Sequence, residues 1–351
     1  MVQKSRPSES FRGPMVGADE RSASNRSKER DSSMVQLFLI GISAGAATAL
    51  LFASVASGSL ISVLLFYLAP LPILIAALGW SHWAALIAAV FASTTLGIIF
   101  GSFFFISFLI GIGLPAWWLG YLALLGRPAE RQTPDGMEWY PAGHLVTWAA
   151  LISALIVIAA ILNFGTDVET FRAALRSGLE RMLRMQTRPP GTTLDPNRLL
   201  DFLVAALPPA AAVLTTLTGI VNLWLAARVV KVSGRMRRPW PDLPAMQFPA
   251  YAPALLGAAI AGSFVPGMVG TCASVLAFAL LMSYAILGFA VLHSITRGIG
   301  SRPFVLGSIY AAVLVFGWPV LIMSLFGLAE SAFDIRNRVA RKRGTLQPPN
   351  Q

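Results

Sequence analysis

Few side chains in this 351-residue chain have the types and spacing that chemistry needs. The three histidines, His82, His144 and His293, sit at the edges of apolar segments and show no metal-ligand spacing. A single cysteine, Cys272, excludes a disulfide framework and any multi-cysteine zinc site. There is no Gly-rich loop ending in Gly-Lys-Ser or Gly-Lys-Thr, and no His-Glu-x-x-His. Gly111-Ile112-Gly113-Leu114-Pro115-Ala116 has the letters of a dinucleotide fingerprint but lies inside an apolar run, with no soluble strand ahead of it. The interiors of the apolar segments hold no Asp or Glu, where ion-coupled carriers and membrane-embedded enzymes place their working groups. The expectation is a protein that is not an enzyme, with no catalytic residue, no metal and no cofactor.

Three other patterns remain. Gly41, Gly45 and Ala49 recur every four residues, so one face of the first helix is smooth enough for close approach of another helix. That face either packs inside the protein's own bundle or docks a separate membrane subunit. Pro70, Pro72 and Pro208 interrupt apolar segments, and each removes a backbone donor and frees a carbonyl. Together with the deep amide of Asn222 they outline a candidate cavity for a small neutral or hydrophobic ligand; the alternative is ordinary helix kinking. Finally, Glu330, Asp334 and Arg338 stand four apart just after the last apolar segment. On a continuous helix Asp334 and Arg338 pair favourably, giving either a cytoplasmic contact surface or a basic end to the last span.

The elements that position these residues are membrane helices. Apolar residues make up 56% of the chain and charged residues 12%, against about 25% charged in soluble domains. The net charge of +11 is concentrated in tails and loops, so it does not indicate a nucleic-acid partner. Val35 to Gly126 carries no formal charge over 92 residues, and turn residues divide it into four segments: 35–56, 60–78, 83–100 and 103–125. A fifth runs over 144–164 and a sixth over 202–230, the latter broken by Pro208-Pro209. Between them, about 167–187 has the three- and four-residue apolar spacing of an interfacial amphipathic helix. A basic loop, 232–250, precedes two apolar pieces, 251–265 and 269–296, and a final segment, 304–326.

The fold class is therefore all-α: a polytopic bundle in the lipid bilayer, with eight membrane helices and nine as the alternative. The domains are a polar disordered tail (1–33), a six-helix membrane unit (34–231), the basic loop, C-terminal membrane helices (251–338) and a basic tail (339–351). Met34 opens the apolar region directly and is an expected start site. If 251–265 fails to cross, 19 Lys and Arg lie inside and 8 outside; if it crosses, the split is 16 to 11. Thirteen residues rise only about 20 Å as a helix, short of a core about 30 Å thick, although extended back to Pro249 and on to Val269 the piece reaches across and gives nine crossings. The favoured reading is eight crossings, with both termini in the cytoplasm of a bacterial inner membrane and 166–198 outside.

Tyr284-Ala285-Ile286-Leu287-Gly288-Phe289-Ala290-Val291 and Phe326-Gly327-Leu328-Ala329-Glu330-Ser331-Ala332-Phe333-Asp334-Ile335-Arg336 resemble the YybS-like bacterial membrane proteins, over roughly residues 34–340. Gly41 to Ala47 and Ala69-Pro70-Leu71-Pro72-Ile73 are similar too. That family has no established activity. Its first six helices resemble substrate-binding subunits of energy-coupling-factor transporters, which implies that Gly41, Gly45 and Ala49 meet a coupling subunit. The chain's helices beyond Val230 depart from that six-helix pattern. The functional expectation is a small-molecule binding or transport subunit without its own ATPase, the alternative being a non-transporting scaffold of the cell envelope.

Overall fold

Turn residues cut the charge-free first stretch into hairpins, as their spacing dictates. In a computed structural model, which describes residues 16–129, 136–185 and 195–342, α1 (Val16–Ala53) leads into α2 (Leu60–Tyr67) and α3 (Leu71–Gly79). Then come α4 (His82–Phe100), α5 (Ser102–Phe108) and α6 (Leu114–Ala123), the last two joined by a π-helical turn at Leu109–Gly113. Serines start two of these helices: Ser59 Oγ accepts from the Ser62 amide and Ser81 Oγ from the Trp83 amide. Gly101, with φ +99°, makes the turn between α4 and α5. One expectation needs correction here. The helix does not begin near Met34 but runs back to Val16, because adding a turn to a nucleated helix costs little compared with starting one. Residues 1–15 of the expected disordered tail lie outside the described residues.

A short ribbon pairs β1 (Gly126–Pro128) with β2 (Met137–Trp139) before α7 (Ala142–Phe164). The amphipathic helix α8 (Val168–Met185) follows, with Phe171 buried and Met182 exposed, and then the long α9 (Pro196–Val232). The C-terminal third holds α10 (Ala252–Ser263), α11 (Met268–Ile295), α12 (Arg302–Phe316), α13 (Pro319–Phe333) and α14 (Ile335–Lys342). Among the described residues seven segments are long and apolar enough to cross a membrane: 34–57, 60–79, 82–100, 102–123, 142–164, 197–232 and 268–295. The all-α membrane bundle is thus the fold.

The bundle has two ends, and contacts assign each helix terminus to one of them. At the first end, Arg235 lies over the Trp80 ring between α3 and α4, and Arg238 donates to the Ala123 carbonyl at the close of α6. At the second, α8 meets the early turns of α9, and Phe171, Arg172 and Pro208 share a cavity with Ser263 and Gly270. Helix α11 therefore starts at the second end. It finishes at the first, where Arg297 pairs with Asp242 at 3.2 Å.

Two expectations change as a result. The 251–265 piece does connect the ends: α10 rises only about 18 Å, and its non-helical flanks complete the distance. The final segment, by contrast, is not one helix. It folds back at Gly317, φ +72°, into α12 and α13, and Arg336 then returns to the 243–246 loop at the first end.

Candidate functional site

Two helices lose regular α-helical hydrogen bonding at the same place. Pro70 has no N–H, and the chain steps out of the helix between α2 and α3. The Leu71 amide turns to the Leu68 carbonyl, so the Tyr67 carbonyl loses its helical donor. Asn222 supplies the replacement from α9: its Nδ2 donates to Tyr67 O at 2.9 Å and to Thr218 O at 2.8 Å. The amide is fully buried, and its Oδ1 is left without a partner. Facing this break is the π turn ahead of Pro115. Between them lies a cavity of about 200 Å³ lined by Tyr67, Pro70, Pro115, Ser153, Thr218 and Gly219, among mainly apolar neighbours.

The structure separates the expected cavity residues. Pro70 lines this space, and Asn222 braces its wall without lining it. Pro208 instead borders the second, more polar cavity of about 230 Å³ near α8. Pro72, in the first turn of α3, lines neither. The π turn with Gly111 and Pro115 was the missing partner of Pro70. Its sequence signal was the Gly111-x-Gly113-x-Pro115 run, which loosens a helix without any nucleotide in view.

The small-residue stripe is covered by the chain itself. A Cβ at Gly41 would sit 2.6 Å from Ile87 Cγ2, and one at Gly45 would sit 2.7 Å from the Ala88 carbonyl. Ala49 is buried with Ala92, Leu96 and Phe108. Helix α4 therefore packs on this face of α1, which is the internal-bundle alternative for Gly41, Gly45 and Ala49.

The C-terminal trio also differs from expectation. Asp334 has φ 49°, a left-handed conformation that ends α13, so Glu330, Asp334 and Arg338 do not share one helix face. Asp334 accepts from Asn337 Nδ2 at 2.7 Å. Glu330 is buried and pairs with Arg336 at 2.6 Å. Arg336 also donates to the Pro244 and Met246 carbonyls, at 2.6 and 2.9 Å. A residue quoted only for resemblance is therefore the clasp that fastens the C-terminus.

Residues 46–330 match a family model described as "Predicted membrane protein (DUF2232)". The chain belongs to this family. No curated protein and no solved structure matches it. Within the DUF2232 match fall both proline breaks, Asn222 and the point where α11 crosses α13. A Cβ at Gly288 would strike the Met323 carbonyl there, and one at Gly327 the Tyr284 carbonyl. Gly41 and Gly45 precede the DUF2232 match, and Arg336 follows it.

Proposed function

We propose that this DUF2232 protein is a non-catalytic membrane subunit that binds a small, largely apolar molecule between α3, α6, α7 and α9. The observation that carries this reading is the meeting of two broken helices at one cavity. Helix breaks cost hydrogen bonds in lipid and are tolerated where neighbours satisfy them or a cavity uses them. At about 200 Å³ the space exceeds the ~150 Å³ apolar cavity that takes benzene and falls below the ~300–1,000 Å³ of drug-sized sites. It suits a compact apolar molecule or one segment of a chain, with Ser153 and Thr218 as the polar contacts. It is small for the vitamins that the transporter resemblance implies, and the packing of α4 on the small-residue stripe supports a reading without a coupling subunit docked there.

Orientation follows from charge. Among the described residues, 16 Lys and Arg belong to segments at or leading to the first end, and 5 belong to Thr166–Arg198 at the second. The basic end accordingly faces the cytoplasm of a bacterial inner membrane.

The test fills the cavity. A Cβ at Gly219 meets only Leu119 Cδ1 at 3.9 Å, so a side chain there has room to grow into the space. Native mass spectrometry of gently solubilised protein should show a small adduct that Gly219→Leu removes while the melting temperature holds. The absence of any adduct, or its persistence in the filled variant, overturns the proposal and leaves the scaffold reading.

A further inference from the structure

The second cavity has a chemistry of its own. In α9, Pro208 and Pro209 stand side by side inside a continuous helix. An α-helix bonds each carbonyl to the amide four residues on, and proline has no amide hydrogen. The carbonyls of Val204 and Ala205 are therefore deprived of their helical donors together, and both residues line the 230 Å³ cavity. Ser263, Thr271 and Ser274 line it as well. Each of their hydroxyls donates back to a carbonyl of its own helix or turn, to Ile260, Gly267 and Thr271 respectively, which leaves lone pairs for a guest. This wall is rich in acceptors.

The cation of the lining is Arg172, on α8. Its pair with Glu169 is long, 3.5 Å, and both side chains are more than half exposed, so the guanidinium is readily exchanged to another anion. One cavity is thus lined by the two residues whose carbonyls lack their helical donors, beside an exchangeable cation. A guest that satisfies both carries an N–H-rich cation and an anion a few bonds apart.

We infer that this cavity is a headgroup site for a phosphate–ethanolammonium group, the ammonium donating to the Val204 and Ala205 carbonyls and the phosphate meeting Arg172. The ammonium has three N–H donors; the trimethylammonium of choline has the same charge and none. The inference stands on residues separate from the apolar cavity, and the orientation by charge decides only the leaflet.

The full chain is exchanged into detergent containing equal amounts of phosphatidylethanolamine and phosphatidylcholine with identical acyl chains, and bound lipid is read by native mass spectrometry. Matched chains cancel any contribution of the apolar cavity. Charge-assisted hydrogen bonds support a preference of at least about fivefold for the ethanolamine lipid. Pro208→Ala with Pro209→Ala restores both amide donors, occupies the two carbonyls and should abolish the preference without lowering the melting temperature. Arg172→Gln should weaken retention of both lipids. Soluble phosphoethanolamine separates the sources: displacement of the lipid adduct shows that the headgroup alone suffices, and failure to displace assigns the site to the intact lipid. Equal retention of the two lipids by the unaltered protein, or a preference that survives in the double-alanine variant, overturns the inference.

Discussion

Arg336 answers three acceptors with one guanidinium: the Glu330 carboxylate and two loop carbonyls. Both members of the ion pair are nearly inaccessible, at 11% and 4% side-chain exposure. Removing one member of such a pair leaves the other charged and desolvated, a loss of about 3–5 kcal/mol. Glu330→Ala should therefore depress the melting temperature markedly, while Arg338→Ala, at an exposed position, should leave it nearly unchanged. Equal effects of the two in a thermal-shift series would contradict the clasp. Asn222 is the other decisive side chain. Truncation to alanine strands the Tyr67 carbonyl in the bundle, which costs about 1–3 kcal/mol, and a lowered melting temperature would report it. Its depth was legible in the sequence, since a lone amide in an apolar segment must find a partner. The partner was not, because it is a backbone carbonyl 155 positions away in the chain. The Glu330–Arg336 pair escaped helix-periodicity reasoning because Asp334, in a left-handed conformation, ends the helix between them.

Helices in lipid gain little from hydrophobicity against one another, so close contact and shape decide their pairing. That makes the Gly41–Gly45–Ala49 stripe and the Gly288–Gly327 crossing the informative features of this bundle. Gly45→Leu pushes a side chain into the Ala88 carbonyl and the Phe91 ring, and overpacking of this kind costs about 1–3 kcal/mol. The variant should melt earlier, whereas Leu50→Ala, on the exposed face of the same helix, should not. A normal melting curve for Gly45→Leu would mean that α1 and α4 are not held as described. Segment existence was legible because Ser-Gly-Ser, Gly-Trp-Ser-His and Gly-Ser interrupt otherwise unbroken apolar runs. At Gly317 only a kink was legible, from Pro319, because the apolar residues on both sides have the hydropathy of one continuous span. The left-handed backbone of Gly317 and the missing amide hydrogen of Pro319 permit the bend, and α13 then packs on α11, where Ser324 Oγ donates to the Leu281 carbonyl at 2.8 Å.

At the scale of the molecule, the path of the chain and the distribution of its charges agree. The passages between the ends are α1, α2–α3, α4, α5–α6, α7, α9, α10 and α11, while α12 and α13 leave the first end and return to it. Hydropathy favoured a different route, with the short 251–265 piece held on one side and the last segment crossing. The reach of the flanks of α10 was already the alternative reading; the last segment misled because two half-length helices in tandem have the hydropathy of one span. The contacts move Arg297 and Arg302 to the basic side, which steepens the charge asymmetry relative to the 19 to 8 of the hydropathy route. Both routes put the C-terminus on the basic side, so labelling there does not separate them; the connection between α11 and α12 does. In a Cys272→Ala background, Ser301→Cys should react from the same side as Ser233→Cys and Asn337→Cys, with Thr166→Cys reacting from the opposite side. All four positions are exposed, so reactivity reports sidedness and not burial. Labelling of Ser301→Cys together with Thr166→Cys by an impermeant maleimide on intact cells would restore the hydropathy route and dismantle the Arg297–Asp242 contact on which the path of α11 depends.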